Sequence, residues 1–452
     1  MREQQAYRMV QLGMGWLPDQ AGGLNRYYHD LLRSFAEQRD DERANASPPA
    51  WDISGFVAGP GFACVKSTDP GTDGTRSTID VTNGTQVLDS DAERLGIRSF
   101  TRRDASLAHR LWASRKMLRR IKVDPVDLIV CHFALYLAPG LGQLGQSPLV
   151  VHFHGPWANE SAQEGDQGFS NRLKHWIESR VYRRADRIIT LSEAFADVVV
   201  KNFGVSRSKV SVIPGGVDLD RFCPSPTDGQ ISDPDDSGAS DRVSNTNRKH
   251  VARERLGWDP DRPTIVCIRR LVPRMGIDRL IRAVGPLVRR HPRLQVMIGG
   301  TGKMKSDLES LIDECDLRSH VRLLGFIEDD DLPWAYRAAD FSVVPTIALE
   351  GFGLIVAESL AAGTPCLVTP VGGLPEVVAG LSPELVFDSP DVSSLSGRID
   401  DVLSGRIPLP GPNECRRHAE SHFNWRQIAD QVAEVYRQAI DHARHSNSKL
   451  IV

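Results

Sequence analysis

Two glutamates with seven residues between them, Glu350 and Glu358, flank a run that opens Gly-Phe-Gly and then turns apolar (TIALEGFGLIVAESLAAG, 346–363). Paired carboxylates suggest acid/base chemistry, whereas glycines before an apolar run suggest a phosphate-binding turn. FSVVPT (341–346) reads as a strand, so Glu350 falls in the loop beyond a carboxyl end, where open α/β sheets bind ligands. The run from Gly353 to Ala362 reads as a helix whose first amides, at Gly351, Phe352, Gly353 and Leu354, have no intrahelical acceptor. Such an N-terminus suits a diphosphate. Glu358, a turn inside, is placed to accept hydrogen bonds from a ribose diol. A Gly-rich turn with a solvated Glu358 is the plainer reading, and spacing does not separate the two.

The elements that must position these groups alternate. In the first half YRMVQLG (7–13) reads as a strand, followed by a Gly-rich loop (17–23) and a helix over 24–38. Short apolar runs follow at 126–133, 148–155, 186–192 and 209–216, with the character of buried parallel strands. Residues 59–90, rich in Gly, Thr, Ser and Asp, read as a loop excursion. The stretch 224–250 has almost no apolar residue, cannot bury enough surface to offset its ordering entropy, and reads as a flexible insertion. Alternation then resumes, with strands at 264–271, 294–302, 320–326, 341–346 and 365–370. Helices are expected near 277–290, 304–316 and 331–338, from Gly353, from Pro375 and over 424–445. The fold class expected is α/β, two doubly wound Rossmann-like domains facing across a ligand cleft. Their boundaries are read as 1–217, an interdomain segment 218–250, a second domain 251–423, and a C-terminal helix 424–452 packing back toward the first.

Composition narrows the function classes. An apolar share of 40%, a charged share of 25% and a net charge of −3 describe an ordinary globular protein and give no reason to expect nucleic acid. Seven scattered cysteines, none in a CxxC pair, argue against a disulfide framework or a zinc site and for a reducing compartment. The first residues lack the apolar core of a signal peptide, so the expectation is a soluble cytoplasmic chain, at most peripheral to a membrane.

From about Arg269 to Glu376 the chain resembles the retaining glycosyltransferases of family 4, which have the two-domain GT-B fold, and the likeness extends over most of its length. In that family an E-x7-E pattern marks the nucleotide-sugar site, and Glu350 and Glu358 stand at its acidic positions. The resemblance implies that Glu350 lies near the donor sugar and Glu358 holds the ribose. It also implies that the amides from Gly351 to Leu354 touch sugar and phosphate. In RRLVPRMGID (269–278) the family has an Arg, then Lys-Gly five and six positions on; Arg270 and Gly276 match, but Met275 stands where the lysine is expected. Arg274, next to it, could take over the charge, since a guanidinium grips phosphate bidentately. A surface arginine in a turn is the alternative. Gly300 in GGTG, the base-reading pair Phe326 and Ile327, and VGG (371–373) also match in order.

In the first half the resemblance puts Gly22 and Gly23 at the family's glycine loop near the donor phosphate. It makes His154, in HFHGPW (152–157), the histidine that bonds the donor sugar. His152 is ranked below it, on the expectation that it points to the opposite face. Arg187 or Ser192 are loose candidates for the acceptor side. A basic helical segment over 101–122, with Leu107, Leu111, Leu118 and Ile121 at near-helical spacing, could meet an anionic membrane or simply pack on the sheet with its charges solvated.

The implied activity is transfer of a sugar from a nucleoside-diphosphate donor to a hydroxyl of a carbohydrate or lipid-linked acceptor, with retention. Arg270, Glu350 and His154 serve the chemistry, no metal is needed, and the donor is a substrate rather than a cofactor. The rival expectations are a phosphorylase or epimerase on the same scaffold, or a degenerate sugar-nucleotide-binding protein.

Overall fold

The computed structural model describes residues 6–17, 22–44, 50–58, 92, 94–102, 104–123, 126–158, 168–224 and 240–448. The chain divides into two compact units: Met1–Gly215 with Trp425–Val452, and Gly216–Asn424.

The first unit is built on seven strands: β1 (Tyr7–Leu12), β2 (Trp51–Ala58), β3 (Ile97–Thr101), β4 (Leu128–Cys131), β5 (Leu149–Phe153), β6 (Arg187–Thr190) and β7 (Val210–Val212). They run in the order β3-β2-β1-β4-β5-β6-β7 and every pair is parallel. A strand covered by helices on both faces must be apolar on both, and all four residues of β4 are fully buried. Among the described residues its helices are α1 (Gly23–Ala44), α2 (Leu107–Val123), α3 (Ala134–Leu137), α4 (Phe169–Arg184) and α5 (Glu193–Phe203). Ser192 caps α5 by accepting from the Phe195 amide at 3.2 Å, and left-handed Gly204 ends it. The C-terminal helix, Trp425–Ser448, lies on α1 in this unit: Ser34 Oγ donates to the Trp425 carbonyl at 3.3 Å, and Phe35 stacks on Tyr436.

Two expectations change here. The basic segment is not one helix over 101–122, because β3 and a turn occupy its start and α2 begins at Leu107. Leu107 is 54% exposed while Leu118 is fully buried, so the packing stripe begins a turn later than the periodicity implied. The excursion at 59–90 lies outside the described residues.

The second unit holds β8 (Thr264–Ile268), β9 (Gln295–Gly299), β10 (Val321–Gly325), β11 (Phe341–Val344) and β12 (Cys366–Val368), in the order β10-β9-β8-β11-β12, again all parallel. Its helices are α6 (Ser240–Arg255), α7 (Ile277–Arg290), α8 (Lys305–Glu314), α9 (Leu332–Ala338), α10 (Leu354–Ala361), α11 (Leu374–Val378), α12 (Val392–Leu403) and α13 (Pro412–His422). α7 shows the periodicity that forms it: Leu280, Ile281, Val284 and Leu287 are buried, and charged residues fill the other face.

The stretch 224–250 is not a single flexible insertion. Residues 225–239 lie outside the described residues, but α6 starts at Ser240. What holds this polar helix is charge rather than apolar area. Asp340 accepts from Lys249 Nζ at 2.8 Å, Arg253 Nη2 at 2.9 Å and the Thr264 amide at 2.8 Å. Burial alone would raise the Asp340 carboxyl, but the two cations and the amide carry it below its ordinary value.

Candidate active site

In each sheet the strand order reverses once, between β1 and β4 in the first unit and between β8 and β11 in the second. Strand carboxyl ends at such a switch point splay their following loops apart and leave a crevice for a ligand. Most of the residues singled out in the sequence lie at these ends; Arg187 does not.

In the second unit Arg269 and Arg270 follow β8, Gly300 follows β9, Phe326 and Ile327 follow β10, and the Glu350 loop follows β11. The loops are pinned to one another through backbone. Arg269 N donates to the Gly299 carbonyl at 2.9 Å, Leu271 N to Thr301 at 2.8 Å and Gly300 N to Gly325 at 2.6 Å. Gly300 has φ +133°, and a Cβ there would meet the Arg269 carbonyl oxygen at 1.8 Å, so only glycine allows this approach. The same holds at Gly372 (φ +58°), where a Cβ would lie 1.9 Å from the Glu350 carbonyl oxygen.

Arg269, not Arg270, meets the first glutamate. Its guanidinium bonds both Glu350 Oε2 and Thr346 Oγ1, and both ends of the pair are largely buried. Just past the end of β8 the two neighbours part, Arg269 partly buried and Arg270 exposed. Arg270 is exposed, and its side chain makes no hydrogen bond or ion pair among the described residues. Arg274 is 6% exposed and donates through Nη1 to the Leu349 carbonyl at 2.7 Å, bracing a residue at φ +53°. Met275 is buried. As built, the RRLVPRMGID turn therefore exposes Arg270 and uses Arg269 and Arg274 to shape the Glu350 loop.

α10 opens after left-handed Gly353 with no side-chain cap. Phe352 is buried against Phe423, so it anchors the turn, and Gly351 and Gly353 are buried beside it. Glu358 is 5% exposed and accepts from the Tyr336 hydroxyl at 3.1 Å. Phe326 stands out at 56% exposure, while Ile327 packs over the Cα of Gly299.

In the first unit Gly22 and Gly23 are exposed at the start of α1, and residues 18–21 of their loop lie outside the described residues. His154 follows β5 and is half-buried. The expectation for His152 was mistaken. Residues two apart share a face of a strand, and His152 and His154 do. The β4–β5 register adds His132 to the same face, and the β1–β4 register adds Gln11. His132 Nδ1 lies 3.2 Å from His154 Nε2, and His132 Nε2 lies 3.1 Å from Gln11 Oε1. His152 sits between the Tyr27 and Tyr436 hydroxyls at 3.2 and 2.8 Å. Burial, then the neighbouring imidazoles, hold His132 and His152 well below the ordinary histidine value, and burial brings His154 down to about 3. All three rings are neutral near pH 7. Nitrogens of the three rings come within 4.8 Å of one another, yet the rings lie within 22° of parallel and their nitrogens face Gln11, the tyrosines or each other rather than one centre. Arg187 begins β6 at the opposite, amino edge of the sheet, and Ser192 is spent as a helix cap.

Sequence reasoning passed over Arg269, Gln11 and His132. Arg269 was one residue from the arginine chosen, and only the placement of Thr346 and Glu350 beside it distinguishes them. His132 ends a strand run just as His154 does, but only the sheet register brings the two together.

The chain matches, in order, the family model for glycosyltransferase family 4 over residues 79–221 and that for group 1 glycosyl transferases over 249–425. It is 32% identical to D-inositol 3-phosphate glycosyltransferase of Mycolicibacterium smegmatis, covering 71% of this chain and 70% of that protein. This chain belongs to glycosyltransferase family 4. A second relative, the GDP-mannose-dependent monoacylated alpha-(1-6)-phosphatidylinositol monomannoside mannosyltransferase of Corynebacterium glutamicum, is 26% identical over 72% of this chain and 78% of its own. The crystal structure of Anabaena HepE in complex with UDP-glucose superposes with a TM-score of 0.66 at 18% identity, covering 96% of this chain and all of that one. At that identity the superposition shows the fold, which is GT-B with two Rossmann-like domains. This family 4 member is accordingly an enzyme that transfers glycosyl groups. No described helix is long and apolar enough to cross a membrane.

Proposed function

We propose that this glycosyltransferase moves a sugar from a nucleoside-diphosphate sugar to a hydroxyl of a carbohydrate or lipid-linked acceptor, retaining the anomeric configuration. The observation that carries the reading is the meeting, at the switch point of the second sheet, of a loop glutamate held by Arg269, an unpaired Arg270 and the uncapped start of α10. Anions favour helix N-termini, and a guanidinium adds a full charge to the same end of the sheet. With Met275 buried and Arg274 bonded to Leu349, charge growing on the departing diphosphate falls to Arg270 and the α10 amides. Glu358, its rotamer set by Tyr336, takes the ribose. Glu350 orients the sugar rather than acting as a nucleophile, since Arg269 already occupies Oε2. The departing phosphate then helps to accept the proton of the incoming hydroxyl.

The donor class rests on this site and on the nucleotide sugars named for the relatives. The test is calorimetric titration with UDP, GDP and ADP. One nucleotide binds in the micromolar range, and Arg270→Ala weakens it at least tenfold, about the effect of losing one charged hydrogen bond. Glu358→Ala weakens the nucleotide but leaves inorganic pyrophosphate unaffected. Binding unchanged in both variants would sink the assignment. Product anomers read by NMR decide retention.

A peripheral membrane contact is a second proposal, carried by exposed aromatics on the first unit. Trp112 of α2 is 58% exposed under Lys116, and Trp176 of α4 is 54% exposed under Arg180. Leu111 and Ala113 beside the first, and Ile177 beside the second, pack into one cluster around Leu135, so the two helices share a support. Tryptophan flanked by cations fits the headgroup layer of an anionic bilayer, where a lipid-linked acceptor would be met.

A further inference from the structure

Gln11, His132 and His154 are joined end to end, and each contact restricts the next. Gln11 is fully buried, and its amide nitrogen lies 3.6 Å from Met9 Sδ, a weak acceptor, which turns Oε1 toward His132 Nε2 at 3.1 Å. An amide oxygen only accepts, so His132 carries its proton on Nε2. A neutral imidazole has one N–H, and His132 Nδ1 is then a lone pair facing His154 Nε2 at 3.2 Å. Two lone pairs cannot face each other at that distance, so His154 donates from Nε2. Its remaining nitrogen, Nδ1, has no partner among the described residues. The rings cannot swing away. Tyr28 meets His132 edge-on at 4.7 Å, His152 stacks on it at 4.3 Å, and Tyr27 meets His154 edge-on at 4.9 Å.

We propose that Gln11 and His132 are positioning residues that hold His154 in the Nε2–H tautomer, so that Nδ1 is a permanent acceptor reserved for a hydroxyl of the transferred sugar. This rests on the reading of His154 as a donor-sugar contact. It adds the direction of that hydrogen bond and the two residues that set it. The sugar must offer an O–H at this point, and an analogue deoxygenated there leaves Nδ1 unpaired.

The test is a long-range proton–nitrogen correlation spectrum of the full-length protein labelled with nitrogen-15 in histidine, without donor, near pH 7.5, with H154N locating the His154 signals. The expected spectrum has His154 neutral and protonated on Nε2. Q11M, which removes the fixed acceptor, yields a mixture of tautomers. H132F lowers kcat/KM about tenfold, the loss of roughly one hydrogen bond, and H132N, whose Oδ1 can replace Nδ1 as acceptor, restores most of it. A wild-type His154 protonated on Nδ1, or an unchanged tautomer in Q11M, overturns the relay, and the wild-type spectrum decides even where a variant fails to fold. The tautomer is read without donor, so it is independent of the donor assignment; turnover unaltered in H154F, which has no acceptor at that position, overturns the role of Nδ1 at the sugar.

Discussion

At the scale of single residues, this protein turns on polar groups whose partners lie in other elements. Glu350 and Glu358 share a motif but have different surroundings: one is gripped by an arginine just after β8, the other buried on a tyrosine from α9. The histidines of the first unit give a pH prediction. Burial depresses them, so the folded chain binds fewer protons than the unfolded chain once pH falls below the ordinary histidine value of about 6.5. Their contribution to stability is complete above that value and is lost as pH falls toward about 3, the value for His154. Calorimetric unfolding of the first unit should show its melting temperature declining across this window. A variant such as His152→Phe, without that proton, should decline less steeply, and parallel curves for the two proteins would refute the account.

At the scale of elements, charge does work that apolar area does elsewhere. α6 carries too few apolar residues to hold itself by burial, and Asp340 ties it to the start of β8, accepting two hydrogen bonds from the helix and one from the Thr264 amide. Asp340→Ala leaves Arg253, itself 6% exposed, without its counter-charge. The expected cost is roughly 2–4 kcal/mol, below the full figure for a buried pair because the Asp340 side chain is partly open to solvent. Chemical denaturation followed by tryptophan fluorescence measures it, and a loss under about 1 kcal/mol would mean that α6 is held by other contacts. On α2 and α4 the exposed tryptophans make a different forecast. Replacing Trp112 and Trp176 with serine should cut sedimentation with phosphatidylglycerol vesicles at least fivefold without changing the melting temperature, while phosphatidylcholine vesicles bind weakly throughout. Equal sedimentation of both proteins would remove the membrane from the account.

At the scale of the whole molecule, the two units differ in what a nucleotide should do to them. Ligand bound only to the folded second unit stabilises it by about 2.7 kcal/mol at a hundredfold excess over Kd. Hydrogen exchange with saturating nucleotide should therefore slow at the amides following β8, β9 and β11 and at the start of α10. Protection confined to the first unit would relocate the donor site.

Much of this was legible in the chain because the relevant signals are local. Apolar runs broken by helical periodicity specify parallel strands and their covering helices, and a glycine turn before an apolar run marks a helix start. The E-x7-E spacing marked the loop after β11, and Ile277–Arg290 emerged with the limits its periodicity implied. The remainder required the sheet. Nothing along the chain says that Gln11, His132 and His154 belong together, because each sits at the end of a different strand and only the pairing of β1 with β4 and β4 with β5 aligns their faces. Nor does composition reveal that residues 240–250 are helical, since their stabilising partner, Asp340, is about ninety residues away. Periodicity is a property of neighbours in sequence, whereas register and charge pairing exist only once distant strands have been brought side by side.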